Sequence, residues 1–129
     1  MSVVFEEVNL HSDRRGFVFE PMADDSLQHQ RNTHVVISQP GAVRGNHYHL
    51  NGTEVIAVMG PAMVRIEEND QIRDIEIPVN KVYRWVIPPM VPHAIKNTSD
   101  QPNILVAFNT VAHDPHHPDV VRKVLIEED

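Results

Sequence analysis

The chain contains no cysteine, which excludes a disulfide framework, a thiolate metal site and a cysteine nucleophile. Ligating and proton-transferring chemistry must draw on its 9 histidines instead. No apolar run approaches the roughly 20 residues that a membrane helix needs, and Met1-Ser-Val-Val-Phe-Glu-Glu7 lacks the basic flank and apolar stretch of a leader. A cytoplasmic protein with no membrane partner is therefore expected. Basic residues are scarce, with 11 Lys and Arg against 18 Asp and Glu, a formal charge of −7. That balance argues against a nucleic-acid partner, whose phosphates must be neutralised, and an anionic substrate requires locally placed arginines. Helical periodicity is nearly absent, since only Ala23 to Gln30 looks even briefly helical. Nothing reads as a linker, repeat or low-complexity segment. The 129 residues, 41% hydrophobic and 22% charged, fit one domain with a real core.

What the sequence does contain is strand-like alternation. Val35-Ile37, Arg44-Leu50, Glu54-Met59, Ala62-Glu67, Gln71-Ile77, Tyr83-Ile87, His93-Asn97 and Asn103-Asn109 are short runs rich in Val, Ile and aromatics. Gly60-Pro61, Asn69-Asp70, Pro88-Pro89 and Ser99 to Pro102 break them. Many short strands at close spacing predict an all-β sandwich or jelly roll, and the 10 prolines suit strand ends and loops.

Within that pattern four residues form a candidate metal site. Alternate residues of a strand share a face, so His47-Tyr-His49 presents two imidazoles side by side. Glu54 and His93, on neighbouring runs, would complete the enclosure of one divalent ion. Zinc is the first expectation, with nickel, iron, manganese and cobalt also suited to such ligands. The group His113-Asp-Pro-His116-His117 is histidine-dense too, but its prolines and its place after the last core strand read as a solvated loop. Tyr83, Trp85 and Ile87 alternate as an apolar wall would.

These motifs resemble the cupins. Gly41, five residues, His47-x-His49, four residues, then Glu54 is similar to the first cupin motif. Pro88-x-Met90-x-x-His93-x-x-x-Asn97 is similar to the second, with Met90 in place of its usual glycine. Arg44-Gly-Asn-His47-Tyr-His49 and Trp85-Val-Ile-Pro-Pro also resemble rhamnose-pathway dTDP-4-keto-sugar 3,5-epimerases and related keto-isomerases. The likeness extends to the cupin domain that ends capsular-polysaccharide UDP-sugar reductase/epimerases, through Arg-Gly-Asn-His-x-His, His93-x-Ile-x-Asn97 and the stretch from Asn109 to Asp119. The resemblance implies a single cupin domain, or double-stranded β-helix, over 1–129: N-terminal strands to residue 40, a core barrel over 41–109 and an extension over 110–129.

It also implies a metal-dependent epimerase or isomerase acting on a nucleotide-linked keto-sugar in cell-surface polysaccharide biosynthesis, and a homodimer. Arg14, Arg15, Glu20, Arg44 and Trp85 become substrate-binding candidates, with His34 and Tyr83 as candidate catalytic bases. The sequence departs from the pattern in places. The catalytic lysine and late tyrosine of the rhamnose-pathway enzymes have no counterpart, because Asn51-Gly-Thr-Glu54 follows the first motif and no tyrosine follows Tyr83. The reductase's glycine-rich fingerprint is missing as well. Five residues lie between Glu54 and Gly60 where the pattern has six, so Glu54 faces inward only with a bulge or a tighter Gly60-Pro61 turn; otherwise Thr53 does, and three histidines remain. Two other activities stay open, a non-catalytic carbohydrate- or effector-binding metal cupin and an Fe(II) cupin dioxygenase.

Overall fold

The alternating runs form two five-stranded antiparallel sheets in a computed structural model, which describes residues 2–128. The strands are β1 (Val4–Val8), β2 (His11–Asp13), β3 (Gly16–Val18), β4 (Asn32–Ser38), β5 (Val43–His49), β6 (Glu54–Met59), β7 (Ala62–Glu68), β8 (Gln71–Ile77), β9 (Val82–Ile87), β10 (His93–Asn97), β11 (Asn103–Asn109) and β12 (Val120–Arg122). One sheet runs β1-β9-β6-β11-β4 and the other β12-β5-β10-β7-β8, while β2 and β3 pair only with each other. The pairing is nested: β7 with β8, β6 with β9, β5 with β10 and β4 with β11, alternate pairs going to opposite sheets. A long hairpin wound in this way is a jelly roll. The briefly helical segment is one 3-10 turn, Asp25–His29, whose first N–H groups are capped by Asp24. Among the described residues no helix is long and apolar enough to cross a membrane.

Inward-facing residues of the two sheets make the core. Ile56, Val58, Trp85, Leu105 and Ala107 of the first sheet meet Val64, Ile66, Ile77 and Ile95 of the second. Glu54 shares the parity of Ile56 and Val58, so it too points inward and is buried. The two-residue turn at Gly60-Pro61 joins β6 to β7 and accommodates the short spacing.

Strict alternation fails at one point, and the failure places the histidines. Val43 faces outward against Ala94 and Ile126, yet His47, of the same parity, faces the interior. Pairing with β10 shows why: Arg44 lies opposite Ile95 and Gly45 opposite Ala94, but His47 lies opposite His93, so Asn46 is an extra residue in a bulge. Both bulge residues have positive φ, 84° at Gly45 and 55° at Asn46, a region that glycine and asparagine tolerate best. A Cβ on Gly45 would also stand 2.8 Å from the His93 carbonyl oxygen.

The bulge is held from outside by the end of the chain. Asn46 Oδ1 accepts from the Leu125 and Ile126 N–H groups at 2.9 and 3.1 Å, Asn46 Nδ2 donates to the Ile126 carbonyl at 3.0 Å, and its own carbonyl accepts from Lys123 N–H at 2.8 Å. Alanine at position 46 would strand two backbone donors, one of them buried. The expected loss is about 2–3 kcal/mol, read as a fall in Tm on the order of 10 °C. An unchanged Tm for Asn46→Ala would contradict this account of the bulge.

Candidate metal centre

Beyond the bulge, β5 turns His47 and His49 into the barrel mouth, where β10 supplies His93 and β6 supplies Glu54. One ligand atom from each of these four residues lies within 4.8 Å of all the others. The rings are 5.0 Å apart for His47 and His49, 4.8 Å for His47 and His93, and 5.8 Å for His49 and His93. His49 Nε2 abuts one Glu54 oxygen, and His93 Nε2 stands 3.7 Å from the other. Among the described residues the Nε2 atoms of all three histidines are buried, and beyond their contacts with Glu54 they have no hydrogen-bond partner. Buried polar atoms are normally satisfied. Three buried imidazole nitrogens converging on a carboxylate could hold a divalent cation, so the residues fit the expected ion.

The electrostatics point the same way. Burial, reinforced by the neighbouring His93, lowers the His47 imidazole from 6.5 to about 4, so it is neutral and able to ligate at pH 7. Burial alone would raise the Glu54 carboxyl, but His49 and His93 facing it hold it well below the ordinary carboxylate range. The His93 ring is oriented by its Nδ1, 2.9 Å from the Val91 carbonyl, which leaves Nε2 free for the cluster.

Beside the cluster opens a small cavity of about 120 Å³, lined by His34, His49, Glu54, Asn109, His113 and Asp119 among others. His34 lies on the inward face of β4, the parity of the partly buried Val36 and the buried Ser38, and is exposed at this opening. Arg44 does not line this cavity: it is exposed, opposite Ile95 on β10, with its Nε 3.4 Å from Ser38 Oγ at the far end of β4. The remaining candidates lie elsewhere. Trp85 is 1% exposed within the core, and Tyr83 sits four positions along β9 from Ile87, the partner of Glu54, stacked on Phe5. Arg14 and Arg15 are exposed at the β2–β3 turn, where Arg15 pairs with Asp13 at 2.7 Å. Glu20 lines a separate hollow of about 340 Å³ with Glu6, His11 and Arg84. The histidine-dense loop is exposed, as expected, but His113 and Asp114 form part of the rim of the cluster's own cavity.

Two residues of the site carry no expected role from the sequence. Asn109, paired with Glu54 across β11 and β6, places Nδ2 3.4 Å from His49 Nδ1. Asp119 places Oδ2 3.9 Å from the same nitrogen. Their signal was the Asn109 to Asp119 stretch, which carried family likeness without a visible reason for it.

Residues 11–121 match the family described as the polysaccharide biosynthesis C-terminal domain. The chain belongs to this family. No curated protein matches the sequence. Among solved structures, the domain is similar to the capsular polysaccharide assembling protein CapF from Staphylococcus aureus, with 25% identity and a TM-score of 0.68 over 92% of this chain and 33% of that one. It thus spans about a third of CapF. It is also similar to the QdtA 3,4-ketoisomerase from Thermoanaerobacterium thermosaccharolyticum in complex with TDP, with 17% identity and a TM-score of 0.70 over 94% and 87% of the two chains. The rmlC epimerase of Mycobacterium tuberculosis superimposes at 14% identity with a TM-score of 0.67, over 88% of this chain and 66% of that one. At such identities the last two likenesses speak for the cupin fold.

Proposed function

We propose that this polysaccharide-biosynthesis domain is a cytoplasmic, divalent-metal-dependent epimerase or isomerase acting on a nucleotide-linked keto-sugar. The observation that carries the reading is the set of three buried imidazole nitrogens converging on Glu54 beside an open cavity. Proteins of similar fold include a ketoisomerase bound to TDP and an epimerase, and this is the support for the substrate class.

The chemistry follows from the site. A proton on the carbon next to a ketone is acidic because its removal gives an enolate. A divalent ion bound by His47, His49, His93 and Glu54 supplies Lewis-acid stabilisation of the carbonyl oxygen. His34, exposed at the same opening, is placed to take that proton and return one, with no redox cofactor needed. Arg44, exposed beside Ser38, offers a cation for the anionic substrate. Arg14 and Arg15 on the self-paired β2–β3 hairpin would then serve a phosphate through a neighbouring subunit.

Screening keto-sugar nucleotides for deuterium wash-in at the α-carbon tests the activity. Exchange that vanishes in His34→Gln is expected, and wild-type protein giving none across the screen would leave a binding cupin as the reading. The same proposal includes a homodimer, because β4 is a sheet edge whose outward Val35 and Ile37 are 60% and 62% exposed. Sedimentation as a monomer at micromolar concentration would remove the dimer.

A further inference from the structure

We propose that Asp119 is the positioning residue of His49, so that the C-terminal segment outside the barrel sets the affinity of the metal centre. The inference rests on the metal-binding reading of the four-residue cluster, and it comes from following the protons of the imidazoles.

If Nε2 of His49 donates its lone pair to a cation, Nδ1 must carry the ring's proton and act as a donor. Asn109 Nδ2, 3.4 Å away, is a donor as well and cannot receive it. Turning the Asn109 amide over does not help, because Asn109 Oδ1 already accepts from Val111 N–H at 2.8 Å. Among the described residues the carboxylate facing this nitrogen is that of Asp119, whose Oδ2 stands 3.9 Å away, so the bond requires the two groups to draw together when the ion binds. His93 meets the same requirement through the Val91 carbonyl at 2.9 Å. His49 lacks such a carbonyl, and Asp119 stands in its place.

The carboxylate is itself fixed. Oδ1 accepts from Asn51 N–H at 3.0 Å and Asn51 Nδ2 at 2.9 Å, and Oδ2 accepts from Gly52 N–H at 2.8 Å. The Asp119 carbonyl accepts from Leu50 N–H at 2.8 Å. Immediately afterwards Val120, Val121 and Arg122 pair with His49, Tyr48 and His47, and Lys123 to Ile126 grip the bulge through Asn46. The segment from 119 to 126 therefore runs beside the ligand strand and presents one charge to one ligand. A negatively charged acceptor holds the ring's orientation and favours the tautomer that ligates.

The test compares wild type, Asp119→Asn and Asp119→Ala, each stripped with chelator and titrated with Zn²⁺ in competition with a chromogenic chelator. A Kd raised about tenfold to a hundredfold in both variants is expected. A purely structural role in pinning the Asn51-Gly52 turn would instead lower the Tm of the stripped protein. To separate the two, the Nδ1 proton of His49 is followed by ¹H–¹⁵N NMR of histidine-labelled, zinc-loaded protein. It should be downfield and slowly exchanging in wild type, and shifted and fast-exchanging in Asp119→Asn. Variants that bind Zn²⁺ within twofold of wild type, or an unmoved Nδ1 proton, would overturn the proposal. Wild type that takes up no Zn²⁺, Ni²⁺ or Co²⁺ would overturn the metal reading and this one with it.

Discussion

Replacing His49 by alanine is expected to reduce bound metal from one ion per chain to none and to abolish α-proton exchange, while leaving the barrel folded. The expectation separates two roles that burial usually confounds. His49 is part of the cluster but not of the apolar core, which is built by residues such as Ile56, Trp85 and Ile66, and its side chain is 14% exposed at the cavity. His93, fully buried, would make a poorer choice because a void at its position disturbs the core. Loss of one of four ligands is severe, because the remaining three must hold the ion with an open coordination position more. His116→Ala in the exposed loop removes a histidine that no part of the cluster touches, and should leave both properties intact. Elemental analysis of the two purified variants with a circular-dichroism spectrum decides the matter. Metal retained by His49→Ala but lost by His116→Ala would mean the ion sits in the loop.

How far the sequence could be read depended on whether a feature was local. Strands β6, β8, β10 and β11 have the bounds that their Val- and Ile-rich runs and flanking turn residues suggested, although only β11 alternates between buried and half-buried positions, β6 and β10 being buried nearly throughout and β8 largely exposed. β12 has only three residues and exists through its pairing with β5, a long-range contact with no local signature. β1 alternates, but Val4, Phe5, Glu6 and Glu7 are exposed, so the hydrophobic pattern that marks a half-buried strand is weak there. The four candidate ligands were legible as residue types, yet their convergence depends on the Gly45-Asn46 bulge, which a period-2 reading of Arg44-Leu50 passes over. Without that extra residue, His47 would share the outward face of Val43. The direction of Glu54 depended in turn on the turn at Gly60-Pro61, and Asp119 came to His49 only once the C-terminal segment had folded back along β5.

Acid should unfold the stripped protein well before its surface charges account for it, and the sign follows from the cluster. His47 has its pKa lowered from 6.5 to about 4 in the fold, with burial the main cause. As pH falls the unfolded chain therefore takes up this proton first, so the contribution of neutral His47 is fully present above about 6.5 and is lost progressively between about 6.5 and 4. Glu54, held well below its ordinary 4.5, adds a loss in the same direction once pH falls through that value. Bound metal changes the size of the effect but not its sign. An ion that binds only the folded state, supplied at a hundredfold its Kd, adds about 2.7 kcal/mol, so chelation at pH 7 should lower the Tm on the order of 10 °C. Because protons compete with the ion for the same imidazoles, that difference should shrink as pH drops, and loaded and stripped protein should melt together near pH 4. The measurement is a set of thermal melts from pH 7.5 to 4, with and without chelator. A stripped-protein Tm that stays flat through the window would show that His47 is not held neutral by burial, and a chelator effect that grows on acidification would show that the imidazoles do not ligate.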